Sequence, residues 1–178
     1  NKKKAAELFE EVSENNPKAL FNLAIMYMNG DGVQKDEKRA VDYYEKAASL
    51  NNPDSLLNLG VIYDEGNCGI KKDKKKAFDY YKRAADLGNP KAQSNLGLMY
   101  QKGIGCNIDK EKSKFYYKMA SDQGNDQAQL NLALLLFESE KFEDQKNALN
   151  YLKSSANHGN PQAMFCLARK YQQNNDIK

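Results

Sequence analysis

"DYYEKAASLNNP" (Asp42–Pro53) recurs almost letter for letter as "DYYKRAADLGNP" (Asp79–Pro90). Self-similarity at a period of about 20–50 residues is the mark of a stacked array, in which one supersecondary unit is copied along the chain. The Asn that closes this stretch recurs at Asn16, Asn52, Asn89, Asn125 and Asn160, at spacings of 36, 37, 36 and 35 residues. Pro follows it in four of those five places, with Asp126 in the other. Proline is suited to the first position of a helix, where its fixed φ is already helical and its missing N–H would have had no partner.

Each repeat carries two helical patterns. After the Asn-Pro corner, Ala19, Leu23, Ala24 and Tyr27 fall at i, i+4, i+5 and i+8, one face of a 3.6-residue period. The same places hold Ser55, Leu59, Gly60 and Tyr63, then Ala92, Leu96, Gly97 and Tyr100, then Ala128, Leu132, Ala133 and Leu136. Small residues at the first and third places let a partner helix come close. Gly30, Gly66 or Gly103 then ends the helix in a left-handed residue. A short turn runs to Asp36, Asp73, Asp109 or Asp144, each placed to cap a second helix. That helix reads Ala40-Tyr43-Tyr44-Ala47-Ala48 and, one repeat on, Ala77-Tyr80-Tyr81-Ala84-Ala85. Gly88, Gly124 and Gly159 close it, with Asn51 in repeat 1 as the next-best left-handed residue. The spans are 16–51, 52–88, 89–124 and 125–159, flanked by half repeats at 1–15 (a second helix, with Ala5, Leu8, Phe9 and Val12 on its apolar face) and 160–178 (a first helix). Glu138 to Glu143 contain no glycine, which predicts a different turn in repeat 4.

Composition agrees. The chain lacks Thr and Trp, is 40% apolar and carries a net charge of only +3. That is strand-poor, too apolar for disorder and too neutral for a nucleic-acid or membrane surface. The longest apolar run, Leu132–Phe137, is far short of a bilayer span. The absence of an Asn-x-Ser/Thr acceptor leans towards a cytoplasmic chain. The start at Asn1 reads as a segment cut from something longer.

Repeats carrying A-x-x-x-L-[GA]-x-x-Y, G-x-G-V-x-x-D and A-x-x-Y-Y-x-x-A-A resemble the Sel-1-like repeat (SLR) family, a tetratricopeptide-like group. "ALFNLAIMYMNGDGVQKDEKRAVDYYEKAASLN" (Ala19–Asn51) carries nearly every element in order. The resemblance implies an all-α, right-handed superhelix (solenoid) of stacked antiparallel helix pairs, with the first helices lining a concave side. It also implies a non-enzymatic adaptor or scaffold in signalling or protein quality control. An alternative is the regulatory repeat region of a signalling enzyme such as a kinase. A weaker one is a cysteine-rich branch associated with penicillin binding, but that branch has a Cys pair in each repeat and no repeat here has two.

The residues offer little chemistry for catalysis. His158 is the single histidine, in a corner where other repeats have Leu50, Leu87 and Gln123, so no Cys-His or Ser-His-Asp set can form. "GIGC" (Gly103–Cys106) follows a helix and lacks Lys-Ser, so it is a turn rather than a phosphate loop. "KKDKKK" (Lys71–Lys76) is not repeated in other units, which argues for a solvated edge and against nucleic acid. Cys68, Cys106 and Cys166 are too dispersed for a disulfide framework or a zinc site and are expected as free thiols. No cofactor and no metal is expected.

One feature remains unassigned by the core pattern. Asn22, Asn58, Asn95 and Asn131 recur three residues after the first small residue, with Cys166 in the fifth place. They fall on the flank opposite Leu23 and Tyr27. Lys18 and Ile25, Asp54 and Val61, Lys91 and Leu98, and Gln127 and Leu134 extend the row, and Phe21, Leu57, Ser94 and Leu130 stand beside it. Amides that can hold a peptide backbone, beside apolar places that can receive its side chains, describe a site for a protein or peptide partner. The candidate contacts are Lys18, Phe21, Asn22, Leu57, Asn58, Lys91, Asn95, Leu130 and Asn131. The competing reading is that each Asn bonds across to a neighbouring helix. Uncovered half repeats at both ends predict self-association.

Overall fold

The computed structural model describes residues 1–175, and all regular structure among them is helical. The helices are α1 (Lys2–Glu11), α2 (Pro17–Asn29), α3 (Glu37–Ser49), α4 (Pro53–Glu65), α5 (Lys74–Asp86), α6 (Pro90–Lys102), α7 (Lys110–Asp122), α8 (Asp126–Phe137), α9 (Phe142–Asn157) and α10 (Pro161–Asn175). Two compact units are present. The first is Asn1–Ala92 with Ile104–Cys106, and the second is Gln93–Gly103 with the chain from Asn107 onward.

The local signals work as read. The corner Asn residues are the N-caps: Asn16 accepts from the Lys18 and Ala19 amides, Asn52 from Ser55 and Asn125 from Ala128. Asp36, Asp73 and Asp109 cap α3, α5 and α7 in the same manner. Asn51 takes the left-handed conformation at φ 58°, as its glycine counterparts do. Each side-chain cap of this kind stabilises its helix by about 1 kcal/mol.

Within the first unit α2 packs on α3, α3 on α4, and α4 on α5. Tyr44 and Tyr81 are buried, and Tyr81 lies across Gly60, where an added Cβ would come within 2.5 Å of the ring. In the second unit Tyr117 is fully buried over Gly97, where a Cβ would meet the ring at 2.7 Å. The small third place of the first helix thus exists to admit the ring of its own second helix. A further tyrosine pair stacks in each of the first three repeats: Tyr27 on Tyr43 at 5.5 Å, Tyr63 on Tyr80 at 5.4 Å, and Tyr100 on Tyr116 at 5.8 Å.

Two expectations need correction. Asp144 is not a cap. With no glycine to stop the turn, α9 starts earlier, at Phe142, and Asp144 sits inside it, accepting from Ser139 Oγ at 2.7 Å. Ser139 takes over the turn, since its Oγ also accepts from the Lys141 amide and its carbonyl from Gln145. In α1, the most buried residue is Ala6 rather than the face Ala5-Leu8-Phe9-Val12; Leu8 and Val12 are more than half exposed, and only Phe9 joins the core around Leu23, Tyr27 and Ala40. The turn expected after Tyr171 extends into residues 176–178, outside the described residues.

Candidate functional site

The asparagine row lies on first helices, whose apolar face is held by the buried Leu23, Leu59, Leu96 and Leu132. A residue three positions after the first small residue points away from that face, and Asn22, Asn58, Asn95 and Asn131 are all half-buried. Lys18 and Lys91 are exposed, and Phe21 and Leu57 are half-buried.

Leu130 is a correction. It is only 2% exposed and belongs to the second unit's core with Leu132, Leu152 and Ala163, so it receives nothing from outside. Ser94, at the equivalent place, is buried as well. Successive helical residues are turned by about 100°, which carries this column from the flank towards the seam between helices. Where the seam is closed, the residue becomes core.

The amides are not equivalent. The Asn58 amide stands beside the phenol of Tyr44, from the preceding repeat, and offsets part of the rise that burial causes there; at Tyr117 Ser113 and then Asn131 do the same. Tyr117 in turn donates to Gln101 Oε1 at 2.9 Å, and Asn131 Oδ1 accepts from Gln127 at 3.1 Å. Burial pushes the Tyr44 and Tyr117 hydroxyls above the usual phenol range, so both stay protonated throughout the physiological range. Asn22 differs: the preceding second helix, α1, contains no tyrosine and so offers no hydroxyl. Asn22 makes no hydrogen bond to another described residue. The bridging role was therefore half legible in sequence, as the alternative of bonding to a neighbouring helix.

Another set was missed. The corner residue faces the residue that directly follows the first small place on its own first helix. Leu50 lines one hollow with Leu20 in repeat 1, while Gln123 Nε2 donates to the buried Gln93 at 2.8 Å in repeat 3. His158 Nδ1 lies 3.3 Å from Gln129 Oε1 in repeat 4. The paired change from Leu-Leu to Gln-Gln to Gln-His was the available signal. It gives His158 a packing role. Cys68, Cys106 and Cys166 are free thiols. Among the described residues no three His, Cys, Asp or Glu side chains gather into a metal-holding group, and no helix is long and apolar enough to cross a membrane.

The family model of the Sel1 repeat matches residues 17–52, 53–89, 90–125 and 126–160. The chain belongs to the Sel1 repeat family. Its repeats are generally protein-interaction modules, and its fold is the helical Sel1 solenoid. Among solved structures, a Sel1 repeat protein from Oxalobacter formigenes is similar at 34% identity and a TM-score of 0.82, over 92% of this chain and 67% of that one. A protective antigen of uropathogenic Escherichia coli strains, displaying an SLR fold, is similar at 28% identity and a TM-score of 0.88. That match covers 96% of this Sel1 chain but 37% of the antigen, so the chain spans little more than a third of its length. An immunity protein from Pseudomonas aeruginosa is similar at 30% identity and a TM-score of 0.55, over 89% of this chain and 59% of that one. Comparison with curated proteins returns no match.

Proposed function

We propose that this Sel1 chain is a non-enzymatic adaptor that holds an extended segment of a partner protein along α2 and α4 of its first unit. The observation that carries the reading is Asn22, whose carboxamide makes no hydrogen bond among the described residues and lies on a half-buried flank. Phe21 and Leu57 stand beside the row as partly covered apolar places, and Lys18 and Asp54 supply opposite charges at its edge. Asn58, beside the Tyr44 phenol, places a second half-buried amide on the same flank. A backbone held by amides, with alternate side chains resting on Phe21 and Leu57, uses that inventory fully.

The test is Asn22→Ala in a binding assay with a peptide selected from a random display library. Folding should be unchanged, because Asn22 holds no other described residue. Binding should weaken by about 1–3 kcal/mol, the cost of leaving a desolvated backbone group unpaired. Unchanged affinity for every selected peptide would remove the first unit's flank as the binding surface.

A further inference from the structure

The row changes chemistry at its last rung. Cys166 replaces the asparagine. Arg169 stands where earlier first helices have Ile25, Val61, Leu98 and Leu134. Lys170 stands where they have Met26, Ile62, Met99 and Leu135, all of which are buried. Two cations have thus entered places that are otherwise aliphatic, one of them a core place. Together with Leu134, Phe137, Leu152, Cys166 and Gln173 they line a hollow of about 230 Å³ within the second unit. The Lys170 ammonium lies 4.4 Å from the centre of the Phe137 ring. Neither Arg169 nor Lys170 forms an ion pair with a described residue, although Lys110, Lys112, Lys114 and Lys118 of the same unit all do.

From this we infer that the hollow between α8 and α10 receives an acidic–apolar peptide segment, in which an aspartate or glutamate adjoins a leucine-, methionine- or phenylalanine-sized side chain. The volume and the apolar floor admit one such side chain. The unpaired guanidinium and ammonium at the rim are charge-complementary to a carboxylate, and a planar guanidinium can hold both of its oxygens. A cation resting on an aromatic ring keeps its remaining N–H donors free for that purpose. The inference rests on the reading of this flank as a peptide-binding surface, and adds the chemistry of the partner and a second place of contact.

Selection of random peptides on the unmodified chain should enrich Asp or Glu next to a large apolar residue. For the best such peptide, measured by fluorescence polarisation, Glu→Gln in the peptide or R169Q/K170Q in the chain should weaken binding by about tenfold or more, as for the loss of charge-assisted bonds. In the unmodified chain the peptide should slow alkylation of Cys166 and leave Cys68 and Cys106 unchanged, a readout that does not depend on any variant folding. Equal binding of the Gln peptide, full affinity of R169Q/K170Q, or unprotected Cys166 would each overturn the assignment. Peptides that depend on Asn22 alone would leave the first-unit site standing and this one refuted. A selection that enriches nothing would refute both.

Discussion

The first rung of the asparagine row and the later ones share a place in the repeat but not a job. Asn58 and Asn131 stand beside the phenols of Tyr44 and Tyr117, delivered by the preceding second helices, whereas α1, which precedes Asn22, contains no tyrosine. A neighbouring hydroxyl sets the surroundings of one amide and is missing beside the other. The lesson is that a residue recurring in every repeat is defined by its neighbour from the repeat before. A column of identical side chains can therefore have different surroundings at its two ends.

Removing the ring tests the scaffold end hardest. Tyr117 has no exposed surface and its hydroxyl donates to Gln101, so Tyr117→Ala should cost about 3–5 kcal/mol in thermal or denaturant unfolding. A loss below about 1 kcal/mol, typical of an exposed site, would mean the rung does not hold the second unit together.

Exchanging the hydroxyl sharpens the comparison with less disturbance. Tyr44→Phe should lower stability by about 0.5–1.5 kcal/mol, the net value of one hydrogen bond, and release Asn58. Phe9→Tyr should do the reverse at Asn22, holding or raising stability while weakening any peptide that uses that amide. Peptide affinity unmoved by Phe9→Tyr would show that Asn22 and residue 9 are not in register.

The smallest effect is a control on a feature that both regions share. The Asp109 carboxyl is held below its ordinary value, first by the Lys112 backbone amide it caps and then by the Lys112 side chain. A carboxylate lowered in the folded state stabilises above its unfolded value of 3.8 and loses that contribution as pH falls through the folded one. The difference in Tm between the chain and Asp109→Asn should be constant at neutral pH and shrink below about pH 4. A difference that is flat down to pH 2 would mean that the ionised form is not what matters there.

Most of the fold was readable because its signals are local. A cap joins residues two or three apart, a left-handed stop needs only Gly or Asn, and an amphipathic stripe needs only its own period. The same locality explains the failure at Asp144. The cap residue was present, but without a glycine to end the turn Ser139 and Lys141 offered an earlier start, and α9 took it. The candidate site was read less completely. Its four asparagines are where the period places them, but Leu130 is core and the Asn22 and Asn58 amides differ.

From the sequence alone came the repeat period, the pair of helices in each repeat, the asparagine and aspartate caps at Asn16, Asn52, Asn125, Asp36, Asp73 and Asp109, and the left-handed corner at Asn51. Each depends on residues within one repeat or on a period that the chain displays openly. The tertiary structure alone decided that Gln93 pairs with Gln123 and that Leu130 belongs to the core. It also decided that Arg169 and Lys170 rim an apolar hollow with no acidic partner among the described residues. Those outcomes turn on how closely two helices approach, and that distance is set by side chains about thirty residues apart whose contacts leave no period in the sequence.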